Sequence, residues 1–144
     1  MEFSFELIID APVKKVWALF YQVDRWHEWI PSIKKINIIT SGPLRIGSKL
    51  EVKAKLGFFN ITTPLTIIDF KKEEGVVMQG KPLFTFTNLK RFYYCKPENN
   101  KTKITIGGET SGLLEVLGAK KALIISKEIA FAAKNKIEST NNHE

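Results

Sequence analysis

A single cysteine and two histidines among 144 residues leave little material for several kinds of chemistry. Cys95 alone excludes an internal disulfide and suits a reducing compartment. Neither His27 nor His143 belongs to a zinc spacing, no paired-cysteine motif occurs, and no metal or cofactor is expected. Arginine is nearly as scarce, at 25, 45 and 91 only, so the formal charge of +7 comes mostly from dispersed lysines. Lysine without a basic-aromatic groove does not make a nucleic-acid surface, and no nucleic-acid partner is expected. Long apolar runs are missing too, and Met1-Glu2-Phe3-Ser4 lacks the order of a secretory leader, which predicts a soluble cytoplasmic protein. No linker or repeat divides the chain. The length suits one domain over residues 1–138, with a flexible polar tail at 139–144.

What is present is alternation. Phe3, Phe5, Leu7 and Ile9 alternate with Glu2, Ser4, Glu6 and Ile8, the period of a half-buried strand. Asp10-Ala11-Pro12 supplies a cap and a first-turn proline to a short amphipathic helix carrying Val13, Val16, Trp17 and Phe20. Asp24 caps a second short helix that presents Trp26, Trp29 and Ile30 and stops at Pro31. Strand follows strand from there: Ile33–Thr40, Leu50–Leu56, Ile61–Lys72, Val76–Gln79, Leu83–Tyr94 and Lys103–Thr110. The connections are too short for crossovers, so neighbours run antiparallel. The facing of Ile61–Lys72 stays open, because Leu65, Ile67, Ile68 and Phe70 fall on both sides, and Gly80-Lys81-Pro82 reads either as a turn or as a kink. Gly112 to about Ile137 forms one helix of roughly 25 residues, about 37 Å long. Its apolar residues make a narrow face of Leu113, Leu117, Ile124 and Phe131 and a broader arc of Ala119, Ala122, Leu123, Ile129, Ala130, Ala133 and Ile137. The fold class is α+β: a curved antiparallel sheet of six to seven strands around a long C-terminal helix, with two short helices after the first strand.

The segments IDAPVKKVWALF at Ile9–Phe20 and VDRWHEWIP at Val23–Pro31 resemble the opening of the START-like, Bet v 1-like (SRPBCC) superfamily, which includes polyketide cyclase and dehydrase-like proteins. Gly42–Lys49 is similar to that family's glycine-marked turn. GETSGLLEVLG at Gly108–Gly118 resembles the last-helix segment of its carbon monoxide dehydrogenase branch. The resemblance implies a helix-grip fold with an apolar cavity between sheet and final helix. It is nearly silent on activity, because one fold carries many functions.

Residues expected to line such a cavity are Trp29, Val52, Ala54, Phe84, Phe86, Ile106, Leu113, Leu117 and Ile124. Trp29 reads equally as a plug of the core and as cavity wall. Asp69, Glu109, Arg91, Tyr93 and Tyr94 are the polar groups that could face inward, but a one-residue shift in register reverses every facing, and no catalytic residue is named. Phe58-Phe59 at a hairpin tip, beside Lys53 and Lys55, suits either a pocket entrance with a weak membrane-surface contact or packing onto the sheet. The expected function is non-catalytic binding or transport of a small hydrophobic ligand, lipid or polycyclic and polyketide-like. The alternatives are an enzyme of the aromatase/cyclase kind and an accessory protein that docks a partner or membrane.

Overall fold

The computed structural model describes the backbone of residues 1–141 and the side chains of residues 1–139. Strand β1 (Glu2–Ile9) leads into helix α1 (Val13–Tyr21) and a 3-10 helix (Val23–Glu28). Six strands follow, β2 (Ile33–Ile38), β3 (Lys49–Leu56), β4 (Phe59–Lys71), β5 (Gly75–Gly80), β6 (Thr87–Glu98) and β7 (Lys101–Gly112), and helix α2 (Glu115–Asn141) ends the chain. Every strand pair is antiparallel in the order β1-β7-β6-β5-β4-β3-β2. The two short helices therefore carry the chain from one sheet edge to the other. This is the helix-grip arrangement.

Local chemistry departs from expectation at several places. The N-cap position of α1 is held by Pro12 and that of the 3-10 helix by Gln22, neither with a side-chain hydrogen bond, rather than by the Asp10 and Asp24 expected there. The second short helix is 3-10 over Val23–Glu28, and the Trp29 and Ile30 amides both donate to the Trp26 carbonyl before Pro31 ends the segment. The segment Leu83–Phe86, expected as strand, is loop, and Phe84 within it has φ +66°. A bulky residue in the left-handed region cannot continue a pleat. Helix α2 begins at Glu115, after Gly112 and Leu114 turn the chain at φ +93° and +63°. At its other end α2 continues through residues 139–141 of the expected tail, and the rest of that tail, with His143, lies outside the described residues.

The open question over β4 has a geometric answer. Its pairing with β5 shifts register between Ile67 and Asp69, a bulge at Ile68 that inverts the inward-outward parity. Leu65 and Ile67 face the core before it, Phe70 faces the core after it, and Asp69 points to solvent.

Helix α2 packs chiefly on β1 and β7, and side chains of α1 and the 3-10 helix pack with Leu50, Ile67, Phe70 and Met78, so the part of β3 and β4 toward the β3–β4 hairpin is left without a helix over it. One main cluster unites Ile9, Val16, Trp17, Phe20, Trp26, Ile30, Tyr93, Ile129, Ala130, Ala133 and Ile137. A smaller one joins Phe3, Ala119 and Ala122 near the start of α2.

Candidate functional site

Between the uncovered part of the sheet and the first half of α2 lies a cavity of about 370 Å³. Strand periodicity builds its wall. Val52, Ala54 and Leu56 of β3 share one face, and the β4 residues Ile61, Thr63 and Leu65 share the face beside it. Met78 pairs with Arg91 across β5 and β6, and both line the cavity, with Leu89 and Tyr93 two residues either side of Arg91. Helix α2 contributes Leu117, Ala122, Ile125 and Ile129. The mouth is made of residues that line the cavity and yet are exposed: Phe84 and Phe86 from the β5–β6 loop, Leu113 and Leu114 before α2. The Thr87 hydroxyl, donating to the Leu113 carbonyl, ties these two segments together.

Six of the nine residues expected to line the cavity do so: Val52, Ala54, Phe84, Phe86, Leu113 and Leu117. The other three do not. Ile106 faces inward but sits on β7, where α2 covers it to 1 % exposure. Ile124 is 68 % exposed, because α2 touches the sheet here through Ala119 and Ala122, and a residue two positions past Ala122 points away. Trp29 joins Phe20 and Trp26 in edge-to-face contact, with ring centroids 5.8 and 6.1 Å away, and plugs the closed end. Its indole Nε1 is buried without a hydrogen-bond partner.

Of the polar groups whose facing was open, Arg91 and Tyr93 point inward, and Asp69, Glu109 and Tyr94 outward. Arg91 is 7 % exposed. Its Nη2 donates to Ser126 Oγ at 2.8 Å, and Ser126 in turn donates to the Ala122 carbonyl at 2.8 Å. The guanidinium carbon lies 5.9 Å from the Phe3 ring centroid and 5.8 Å from that of Tyr93. A sequence signal for Arg91 did exist: Leu89, Tyr93 and Cys95 share its parity and are apolar or aromatic. Thr63, Met78 and Lys121, also on the wall, were not singled out from sequence, and Ile129 was read there only as part of the broad apolar arc of α2.

Acid-base groups are scarce at this site. Arg91 and Lys121 are the charged residues on the cavity wall, and no Asp, Glu or His lines it among the described residues. His27 is exposed on the 3-10 helix, and no group of His, Cys, Asp and Glu among the described residues could hold a metal ion. Burial pushes the Cys95 thiol up to about 12, which keeps it protonated and inert at neutral pH. A second depression, on the outer face of the sheet along Thr66, Gln79, Lys90 and Glu109, is polar and open. No described helix is long and apolar enough to cross a membrane.

The chain is similar in structure to a START superfamily protein from Mycobacterium smegmatis, with TM-score 0.78, 13 % identity, and 96 % of this chain and 98 % of that one covered. It is similar to a major latex-like protein of Panax ginseng, with TM-score 0.81, 10 % identity and coverage of 94 % and 96 %. A Streptomyces aromatase/cyclase superposes with TM-score 0.71 at 10 % identity, 95 % of each chain being covered. At such identities the likeness speaks for fold alone. No curated protein matches the chain by sequence. None of these matches bears on the likeness of Gly108–Gly118 to the carbon monoxide dehydrogenase branch. Residues 9–133 match the family model described as polyketide cyclase / dehydrase and lipid transport, and the chain belongs to that family.

Proposed function

We propose that the protein binds and carries a small hydrophobic molecule in the cavity between β3–β6 and the first half of α2. The observation that carries this reading is the cavity itself: about 370 Å³ of apolar-walled space inside an otherwise closed core. That lies within the range of known small-molecule sites, roughly 300–1,000 Å³. Removing about ten methylenes from water is worth roughly 8 kcal/mol, of which association costs consume several, so micromolar or weaker affinity is expected. The lack of a carboxylate or histidine on the wall favours a carrier over a cyclase, although one structural neighbour is an aromatase/cyclase. Mass spectrometry of organic extracts from the purified protein tests this. Recovery of an apolar compound that Ala54→Trp abolishes supports it; a protein that takes up no apolar compound under any loading condition overturns it.

The rim favours a second role, transient contact with an anionic membrane surface. Phe58 at the β3–β4 tip and Phe84 are fully exposed, Leu113 and Leu114 largely so, Lys55 and Lys81 precede Phe58 and Phe84 by three residues each, and Lys81 lies over the Phe86 ring. Exposed apolar residues with lysines near them in the chain suit shallow insertion among acidic headgroups. Sedimentation with anionic vesicles should show binding that weakens as salt rises and is lost in a Phe58→Ser, Phe84→Ser double variant.

A further inference from the structure

Arginine carries five N–H donors in a fixed fork and keeps its charge under all ordinary conditions. Arg91 brings that charge to a site with 7 % residue exposure, and its Nε is buried without a hydrogen-bond partner. No carboxylate pairs with it among the described residues; its contacts are one serine hydroxyl and the faces of Phe3 and Tyr93. A buried cation that lacks an anion is costly to keep. Aromatic faces offset only part of that cost.

The surroundings hold the guanidinium still. It lies between the two apolar clusters, with Phe3 from the smaller and Tyr93 from the larger, and Ser126 anchors one end. Arg91 is four residues along β6 from Thr87 at the mouth, roughly 13 Å deeper at strand rise. Lys121 is the other charged wall residue, and it is exposed. Both charges on the wall are therefore positive, and the deeper one is fixed and incompletely satisfied.

Building on the carrier reading, we infer that the ligand is an apolar molecule bearing an anionic group, a carboxylate being the simplest, which enters head first and seats that group on Arg91. The apolar body then fills the space along Val52, Ala54 and Leu65. Specificity follows from desolvation: a neutral ligand of equal size leaves the guanidinium without its counter-charge, whereas a carboxylate satisfies it.

Calorimetric titration of the intact protein with decanoate and with 1-decanol at neutral pH tests this. Decanoate should bind at least tenfold more tightly, with a preference that survives moderate salt because a buried pair is poorly screened. Arg91→Met should remove at least tenfold of decanoate affinity and leave decanol within about threefold, whereas Lys121→Ala should keep most of the preference. Equal binding of acid and alcohol by the unsubstituted protein overturns the anionic ligand and leaves the carrier reading standing. Loss of the preference in Lys121→Ala, with Arg91→Met unaffected, also overturns it. Binding of neither compound overturns the anionic ligand, and the carrier reading falls with it when organic extracts of the protein also hold no apolar compound. Because the acid-alcohol contrast is read in the unsubstituted protein, the result does not depend on Arg91→Met folding.

Discussion

The two ends of the helix-sheet interface are built from similar residue types and reach opposite outcomes. Under α1 and the 3-10 helix, Phe20, Trp26, Trp29 and Tyr93 interlock in tilted and edge-on ring contacts, Trp17 packs edge-on against Phe70 beside them, and the space left beside Trp17, Phe20, Trp26 and Tyr93 is about 20 Å³. Toward the β5–β6 loop, Phe84, Phe86, Leu113 and Leu117 are just as apolar, yet they stand around about 370 Å³ of open cavity. The difference lies in what covers the strands. At the closed end α1 and the 3-10 helix lie over the sheet; at the open end α2 meets it mainly through the small side chains of Ala119 and Ala122, in a cluster with Phe3, Leu89 and Leu123. Hydrophobicity alone does not fill a core; a covering element must bring the side chains together.

Substitutions should divide along the same line. Phe20→Ala at the closed end should cost about 3–5 kcal/mol, read from urea denaturation, because its aromatic neighbours cannot all collapse into its place. A loss below about 1.5 kcal/mol there would erase the contrast. Ala54→Trp at the open end should lower ligand affinity at least tenfold, equivalent to about 1.4 kcal/mol, while changing stability by less than about 1 kcal/mol, since it fills existing space.

Cys95, sealed at the closed end, makes the contrast titratable. Its thiol is raised from an ordinary value near 9 to about 12. A raised folded-state value means that its contribution to stability is fully present below about pH 9 and is lost between pH 9 and 12, at up to about 1.4 kcal/mol per pH unit. The stability difference between the unsubstituted protein and Cys95→Ala should therefore be flat below about pH 8 and shrink by about 1.4 kcal/mol by about pH 10. A flat difference throughout would mean that this end admits water. The smallest effect should be that of Leu117→Ala: Leu117 is half exposed at the mouth, and its loss should cost less than about 1 kcal/mol in the same denaturation experiment.

Much of this architecture was legible because strand period and turn residues act locally. β1 was readable from Phe3, Phe5, Leu7 and Ile9, and the buried arc of α2 from Ala119, Ala122, Ile129, Ala130, Ala133 and Ile137. The opening motif pointed to the fold because its residues build the closed end. Failures arose where tertiary geometry decides. The bulge at Ile68 leaves no mark but an apparently two-sided apolar strand. Phe84 and Phe86 alternate like strand residues, yet the backbone turns there. Ile106 and Ile124 were assigned to the cavity from periodicity, and only the placement of α2 over β7 shows one covered and the other turned outward. Arg91 shares the parity of Leu89, Tyr93 and Cys95, but a charge in that row contradicts burial, and a one-residue shift in register would turn the row outward.

The row Ile67–Met78–Arg91–Gly108–Phe3 runs across five neighbouring strands, and one member has no side chain. At Gly108 even a methyl would meet the Lys90 carbonyl oxygen at 1.9 Å and the Phe3 ring at 3.0 Å. Phe3 can press close to the guanidinium because its neighbour contributes nothing but backbone. The environment of the deepest charge is thus shaped by an omission. Any residue that restored bulk at position 108 would push strands apart and unseat an aromatic ring before it touched a ligand, altering recognition from a position that does not line the cavity at all.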